Sequence, residues 1–217
     1  MSAGSVMRMP LGSFAGLSFS ALAVSLLAGA CSTERRPEAR AERKSSVVAS
    51  PRVVPFGQRV PKGGGSYKVG DPYEIDGQWH TPREDPSYDR TGIASYYGTA
   101  FHGRRTANGE IFDMGALTAA HPTLPMPSYA YVTNLENGRT LLVRINDRGP
   151  YANNRIIDLS QTVARNLGLE VKGTGRVRVR YAGRAPLTGD DSQERRYLAG
   201  QPWSRLASFG TFRPATR

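Results

Sequence analysis

Cysteine is almost missing from this chain of 217 residues: Cys31 is the only one, which leaves a single unpaired thiol to account for. There are three histidines, His80, His102 and His121, and none stands at metal-ligand spacing from another or from Cys31, so no zinc site, no other metal and no cofactor is expected. The glycine run Gly63–Gly65 has no strand before it and no Gly-Lys-Ser/Thr after it, which excludes a phosphate-cradling loop. No nucleophile elbow marks Ser-His-Asp chemistry, and no internal repeat is found. Acidic residues are few, 18 against 29 Lys and Arg, for a formal net charge of +11. That balance favours polyanionic surfaces: nucleic acid, acidic lipid or an acidic wall polymer. The basic residues form no dense block and no recognition-helix pattern, so nucleic acid is not the expected partner.

What is present begins at the N-terminus. Met1–Pro10 carries Arg8 as its only charge, and Leu11–Ala30 is uncharged and ends in small residues directly before Cys31. This is the layout of an export signal over residues 1–30. "LLAGAC" resembles a lipoprotein box, which makes Cys31 a lipidation site and a membrane contact, with Ser32 in the position that lets such proteins move to the outer membrane. Ala28-Gly29-Ala30 also satisfies the A-x-A rule, which would leave a soluble product. The unpaired thiol favours acylation, and several acyl chains on one residue anchor stably.

Residues 31–66 are charged, contain Pro and Gly, and lack apolar periodicity; they read as a disordered tether. From Tyr67 aromatics and short alternating runs set in, with a lead-in over 67–91 and a core over 92–182. "GIASYYG" has strand composition, Asn137-Gly138 joins two β-rich runs (129–135 and 140–146) as a hairpin, and Arg176–Tyr181 alternates valine with arginine, giving one wet basic face. "DLSQTVARNLG" reads as a short helix with Ser160 as N-cap, an inner stripe of Val163, Ala164 and Leu167, and Gly168 at its end. Short strands with one or two small helices make a mainly β fold, a small barrel. Residues 183–217 read as a basic, disordered tail with Trp203, Leu206 and Phe209 in a weak amphipathic spacing.

The chemistry concentrates in "INDRGPYANNRIIDLS". Strict alternation puts Leu141, Val143 and Ile145 on one face, and Asp147 continues that parity to the rim of the apolar interior. Partial burial raises a carboxyl pKa, as a general acid near neutrality requires, while Arg148 opposes the shift. An Asp–Arg pair closing the turn before Gly149-Pro150 accounts for the same residues. Glu110, after the Asn108-Gly109 turn, and His121, before Pro122, are candidate partners; a solvated turn residue and a core-satisfied histidine are the ordinary alternatives. Tyr96, Tyr97, Phe101 and Tyr151 offer rings for sugar stacking, or for the core.

Six segments, "GIASYYG", "FHGRRTANGE", "TAAHPTLP", "VTNLENGR", "INDRGPY" and "RIIDLS", resemble the rare lipoprotein A (RlpA) family in order and spacing over roughly Tyr67–Tyr181. The resemblance implies a six-stranded double-psi β-barrel, related to expansins, in an outer-membrane lipoprotein of the cell envelope facing the periplasm. It implies a lytic transglycosylase that cuts the β-1,4 bond from N-acetylmuramic acid to N-acetylglucosamine in peptide-stripped glycan strands, leaving 1,6-anhydro ends during cell separation. The family's site residues map onto Asp147 as acid, with Glu110 and His121 positioning sugar or relaying a proton; Tyr96, Tyr97, Arg148 and Tyr151 are the expected substrate contacts. The residues after Gly183 are too few for the glycan-binding SPOR domain of many members. A non-catalytic, expansin-like glycan binder is the alternative, and a lipid-anchored wall tether a third; no protein partner is implied.

Overall fold

The computed structural model describes residues 50–75, 77–151 and 154–204. The expected signal, Cys31, Leu206 and Phe209 lie outside these residues. The lead-in forms a two-stranded antiparallel ribbon, β1 (Tyr73–Ile75) and β2 (Gln78–His80). Six strands then close a barrel: β3 (Asp89–Tyr96), β4 (Thr118–Ala120), β5 (Ser128–Asn134), β6 (Thr140–Asp147), β7 (Arg155–Leu159) and β8 (Gly175–Arg184), in the order β3-β7-β4-β6-β5-β8. Two of the pairs, β3–β7 and β4–β6, are parallel, and the rest are antiparallel. The mainly β, six-stranded barrel expected from the sequence is the one observed. A helix α1 (Gln161–Leu167), a helix α2 (Ser192–Ala199) and a 3-10 turn at Thr99–Phe101 complete it.

Local sequence explains most of these elements. β5 and β6 pair around the Asn137-Gly138 turn with Thr133 opposite Thr140, and Gly138 takes the positive φ of 71° that such a turn needs. In β8, Val177 and Val179 are fully buried while Arg176, Arg178 and Arg180 face water. The Ser160 hydroxyl accepts the Val163 N–H at the start of α1, and Val163, Ala164 and Leu167 lie wholly in the core. Gly92 serves a close approach: a Cβ there would lie 2.5 Å from Ile156 Cγ2. The interior is filled by Ala94, Ala119, Val132, Leu141, Val143, Ile145, Ile157, Leu159, Val177 and Val179, all without exposure. Burying each aliphatic side chain of this kind contributes about 1.5–3 kcal/mol.

Two segments differ from expectation. The described part of the expected tether, 50–66, runs along the barrel as hydrogen-bonded backbone: Val53 and Val54 N–H both donate to Gly103 O (2.8 and 3.0 Å), and Ser66 N–H to Asn108 O (2.9 Å). Its attachment uses main chain, glycine and a few polar side chains: a Cβ on Gly65 would press on Glu110 Cγ at 2.8 Å, and Arg52 donates to Ala100 O at 3.0 Å. Such contacts leave no apolar periodicity to read. The expected disordered tail contains α2, which packs on β6 and β5 through Tyr197, 5.3 Å from the Tyr131 ring, and buried Glu194. Trp203 is half-buried under the Arg139 guanidinium at 5.1 Å. The inner face of α2 carries a carboxylate and a phenol where a hydrophobic stripe would have announced it.

Candidate active site

A register shift builds the site. Along β4 and β6, Ala119 pairs with Ile145, but the next residue, Ala120, pairs with Asp147; two residues of β6 advance against one of β4. Such a bulge re-aims the side chain that follows it. Simple alternation places Asp147 on the core face with Ile145. The shift instead puts it in a row with Ala120 on β4, Asp158 on β7 and Ser95 on β3, while Ile145, Ala119, Leu159 and Tyr96 form the neighbouring row against the core. Two strand spacings separate Asp147 from Asp158, about 9–10 Å between Cα atoms. Only the Ala120 methyl stands between them.

This row floors a cleft of 610 Å³ lined by Tyr96, Tyr97, Phe101, Arg148, Tyr151 and Arg155, together with both aspartates. The size lies within the range of ligand-binding clefts. Asp147 Oδ1 accepts two backbone N–H bonds, from Ala107 and Arg148, both at 2.8 Å. Burial nevertheless raises its pKa from 3.8 to about 6, against those bonds and the Arg148 charge. The Arg148 guanidinium does not clasp this carboxylate. It donates to the carbonyls of His121 (3.1 Å), Leu124 (2.5 Å) and Val69, so the Asp–Arg ion pair expected as the alternative is not what closes the turn.

Asp158 is the acidic partner the candidate list lacked. Its Oδ1 accepts the Ser95 hydroxyl at 2.6 Å and Arg155 lies 3.5 Å from Oδ2; burial raises its pKa, opposed by those two groups. The signal was available: in "RIIDLS" the buried Ile157 and Leu159 alternate with Asp158, which therefore leaves the core face. Tyr97 sits against Phe112 (4.6 Å), and its buried hydroxyl has no partner among the described residues. Burial, then Asp147, Asp158 and Tyr151, push that phenol well above its usual value, so it remains neutral. Burial and the Asp147 charge raise Tyr151 to about 12.

Glu110 and His121 do not enter this cleft. Glu110 lies on the outer face of β6, where Arg144 Nε reaches Oε1 and Oε2 (3.2 and 3.1 Å), Arg144 Nη2 reaches Oε1 (2.5 Å), and Asn146 donates to Oε2 (2.9 Å). Burial would raise this carboxyl, but Arg144, Asn146 and Asn108 outweigh it and hold it below its usual range. Gly109, at φ 96°, turns the loop that carries both Glu110 and Ala107. Glu110 thereby fixes the residue before Asp147 and the loop whose Ala107 N–H binds Asp147. His121 is fully buried; its Nδ1 accepts the N–H groups of Thr123 (3.1 Å) and Leu124 (3.0 Å), and its Nε2 meets Tyr88 Oη at 2.9 Å. Burial, then Arg148, lowers its pKa to about 3, so the ring is neutral with the proton on Nε2. The backbone N–H of His121 donates to Asp147 O (3.1 Å) and its carbonyl holds Arg148. Both residues act on Asp147 through the backbone around it.

Behind Glu110 lies a second, small cavity of 70 Å³, roofed by α2 and bordered by Thr118, Arg144, Asn146 and Glu194, each with a buried polar atom that has no partner among the described residues. That volume holds several waters, which would satisfy these atoms.

The chain closes a six-stranded barrel whose aromatic cleft holds two carboxylates, and residues 89–181 match the family model described as lytic transglycolase. The curated relatives it is similar to are endolytic peptidoglycan transglycosylases RlpA. That of Pseudomonas aeruginosa strain UCBPP-PA14 is 52% identical over 116 residues, covering 53% of this chain and 34% of the relative. Those of Neisseria meningitidis serogroup A (50% over 108 residues; 49% and 45%) and Rickettsia felis (45% over 120; 54% and 53%) follow. The chain spans between about a third and about half of the length of these relatives.

Proposed function

We propose that the protein is an endolytic peptidoglycan lytic transglycosylase. The observation that carries this reading is Asp147: a carboxyl that titrates at about 6, held by two N–H groups at the floor of the aromatic cleft. Protonated Asp147 donates to the oxygen linking C1 of N-acetylmuramic acid to N-acetylglucosamine as the C1–O bond breaks. Asp158, two strands away, stabilises the positive charge that develops on the sugar. The C6 hydroxyl of the same muramyl residue attacks C1, and the Asp147 carboxylate takes its proton, so the acid is regenerated and a 1,6-anhydro ring closes. The nucleophile is tethered to the reacting carbon, which supplies the proximity that a hydrolase must create for water. Tyr97 and Tyr151 line the sugar path, and Arg148, Glu110 and His121 fix the position of Asp147.

Mass spectrometry of peptide-stripped glycan after incubation tests this: the expected ends are lighter by one water than hydrolysed ends, and absent from the Asp147→Asn variant. Strands left intact but co-sedimenting with the protein identify the expansin-like binder instead. We further propose acylation at Cys31 and residence at the outer membrane, supported by the "LLAGAC" segment and Ser32. Mass measurement of the mature N-terminal peptide tests the anchor; an unmodified thiol there would refute it.

A further inference from the structure

A third cavity, of 290 Å³, lies beside the β1–β2 ribbon and takes no part in the chemistry above; Trp79, His80, Arg83, Asp85, Tyr88 and Arg90 border it. Three features set it apart from an ordinary surface dent. Trp79 is 66% exposed on β2 opposite Glu74, so its indole face is offered to solvent and not to the core. The cavity has a cationic surplus. Arg83 lies 3.6 Å from Asp85, whose Oδ1 is taken by the Ser87 hydroxyl, and among the described residues the Arg90 guanidinium donates only to the Asp89 carbonyl, the Asp89 carboxylate being held by Arg178. Glu84, the other nearby acid, is paired with Arg184.

The third feature is closeness to the active cleft. The turn 121–124 is the wall between them: on one side its carbonyls hold Arg148, and on the other His121 bonds Tyr88 while Leu124 borders the third cavity. Tyr73 spans the same wall. Its hydroxyl donates to Pro122 O (2.9 Å), its ring stacks on His80 at 5.1 Å, and its edge meets Tyr151 of the cleft at 6.3 Å.

We propose that this cavity is a second saccharide subsite, which receives a peptide-free muramyl residue of the strand bound in the cleft. Trp79 lies against the sugar face, and Arg83 and Arg90 receive the lactyl carboxylate, which is free only where the stem peptide has been removed. The inference rests on the glycan-cleaving reading above and adds to it a basis for choosing bare strands. Two guanidinium groups bordering one cavity favour a carboxylate as a neutral polar cavity would not.

The test is equilibrium binding of the full-length protein, carrying Asp147→Asn to prevent turnover, to three probes of equal length: bare glycan, peptide-bearing glycan, and carboxylate-free N-acetylglucosamine oligomers. Added Arg83→Gln/Arg90→Gln should weaken bare glycan about tenfold and leave the carboxylate-free oligomers unchanged; added Trp79→Ala should weaken both. These side chains are exposed, and matched melting curves establish that folding is retained. Unchanged affinity for bare glycan in both variants overturns the subsite. So does tighter binding of peptide-bearing strands lost in the same variants, which would assign the cavity to a peptide carboxylate. Wild-type turnover of bare glycan to anhydro products separates these results from failure of the activity itself.

Discussion

Replacing Asp147 by asparagine should abolish turnover and make the protein more stable, by an amount that depends on pH. In the folded state the carboxyl titrates at about 6 instead of 3.8, so folding favours its protonated form. Stability from this group is full below pH 3.8 and is lost as pH rises through about 6. The difference, at roughly 1.36 kcal/mol per tenfold change in proton affinity, comes to about 3 kcal/mol of destabilisation at pH 7.5. Asparagine keeps an Oδ1 for the Ala107 and Arg148 N–H groups but carries no charge to desolvate. The variant should therefore melt roughly 6–12 °C above wild type at pH 7.5, taking about 2–4 °C per kcal/mol for a domain of this size. At pH 3.5 the two should melt together, since both side chains are then neutral. Thermal denaturation by circular dichroism at both pH values reads the comparison directly. A variant no more stable than wild type at pH 7.5, or equally stabilised at both pH values, would refute the claim that a costly buried carboxylate is held in this cleft.

The same proton should govern catalysis: kcat/KM falls about tenfold per pH unit above about 6, because the ionised acid cannot donate, and a flat profile to pH 8 would exclude Asp147 as donor. Glu110→Gln should cost about 3–5 kcal/mol of stability by leaving Arg144 as an uncompensated buried cation, measurable by urea denaturation, whereas Glu110→Leu with Arg144→Met should cost less than the single change. His121 should show the neutral Nε2–H tautomer in long-range proton–nitrogen NMR spectra at pH 5.5, and an imidazolium pattern there would contradict its burial. Asp158→Asn should lower kcat more than it raises KM, since charge on the sugar develops only in the transition state.

Much of the barrel was legible because its strands obey local rules. The Asn137-Gly138 hairpin, the valine–arginine alternation of β8 and the Ser160-to-Gly168 bounds of α1 are each set by residues in contact along the chain. The site was harder to read. Asp147 was found, but the alternation argument assigned it to the wrong face, because a bulge depends on how β4 meets β6 and leaves no mark in either strand alone. Glu110 and His121 carry chemically versatile side chains, and only the tertiary fold shows them spent on Arg144, Asn146 and backbone amides. Asp158 was within reach of the same period-two reasoning. α2 and the segment 50–66 escaped because their contacts run through main chain, glycine, a phenol and a buried acid.

The methyl group of Ala120 is what lets two acids face one ligand across the middle strand. A leucine there would fill the ground between them. On the proposed reading, bulk at this single point would separate gripping a strand from cutting it.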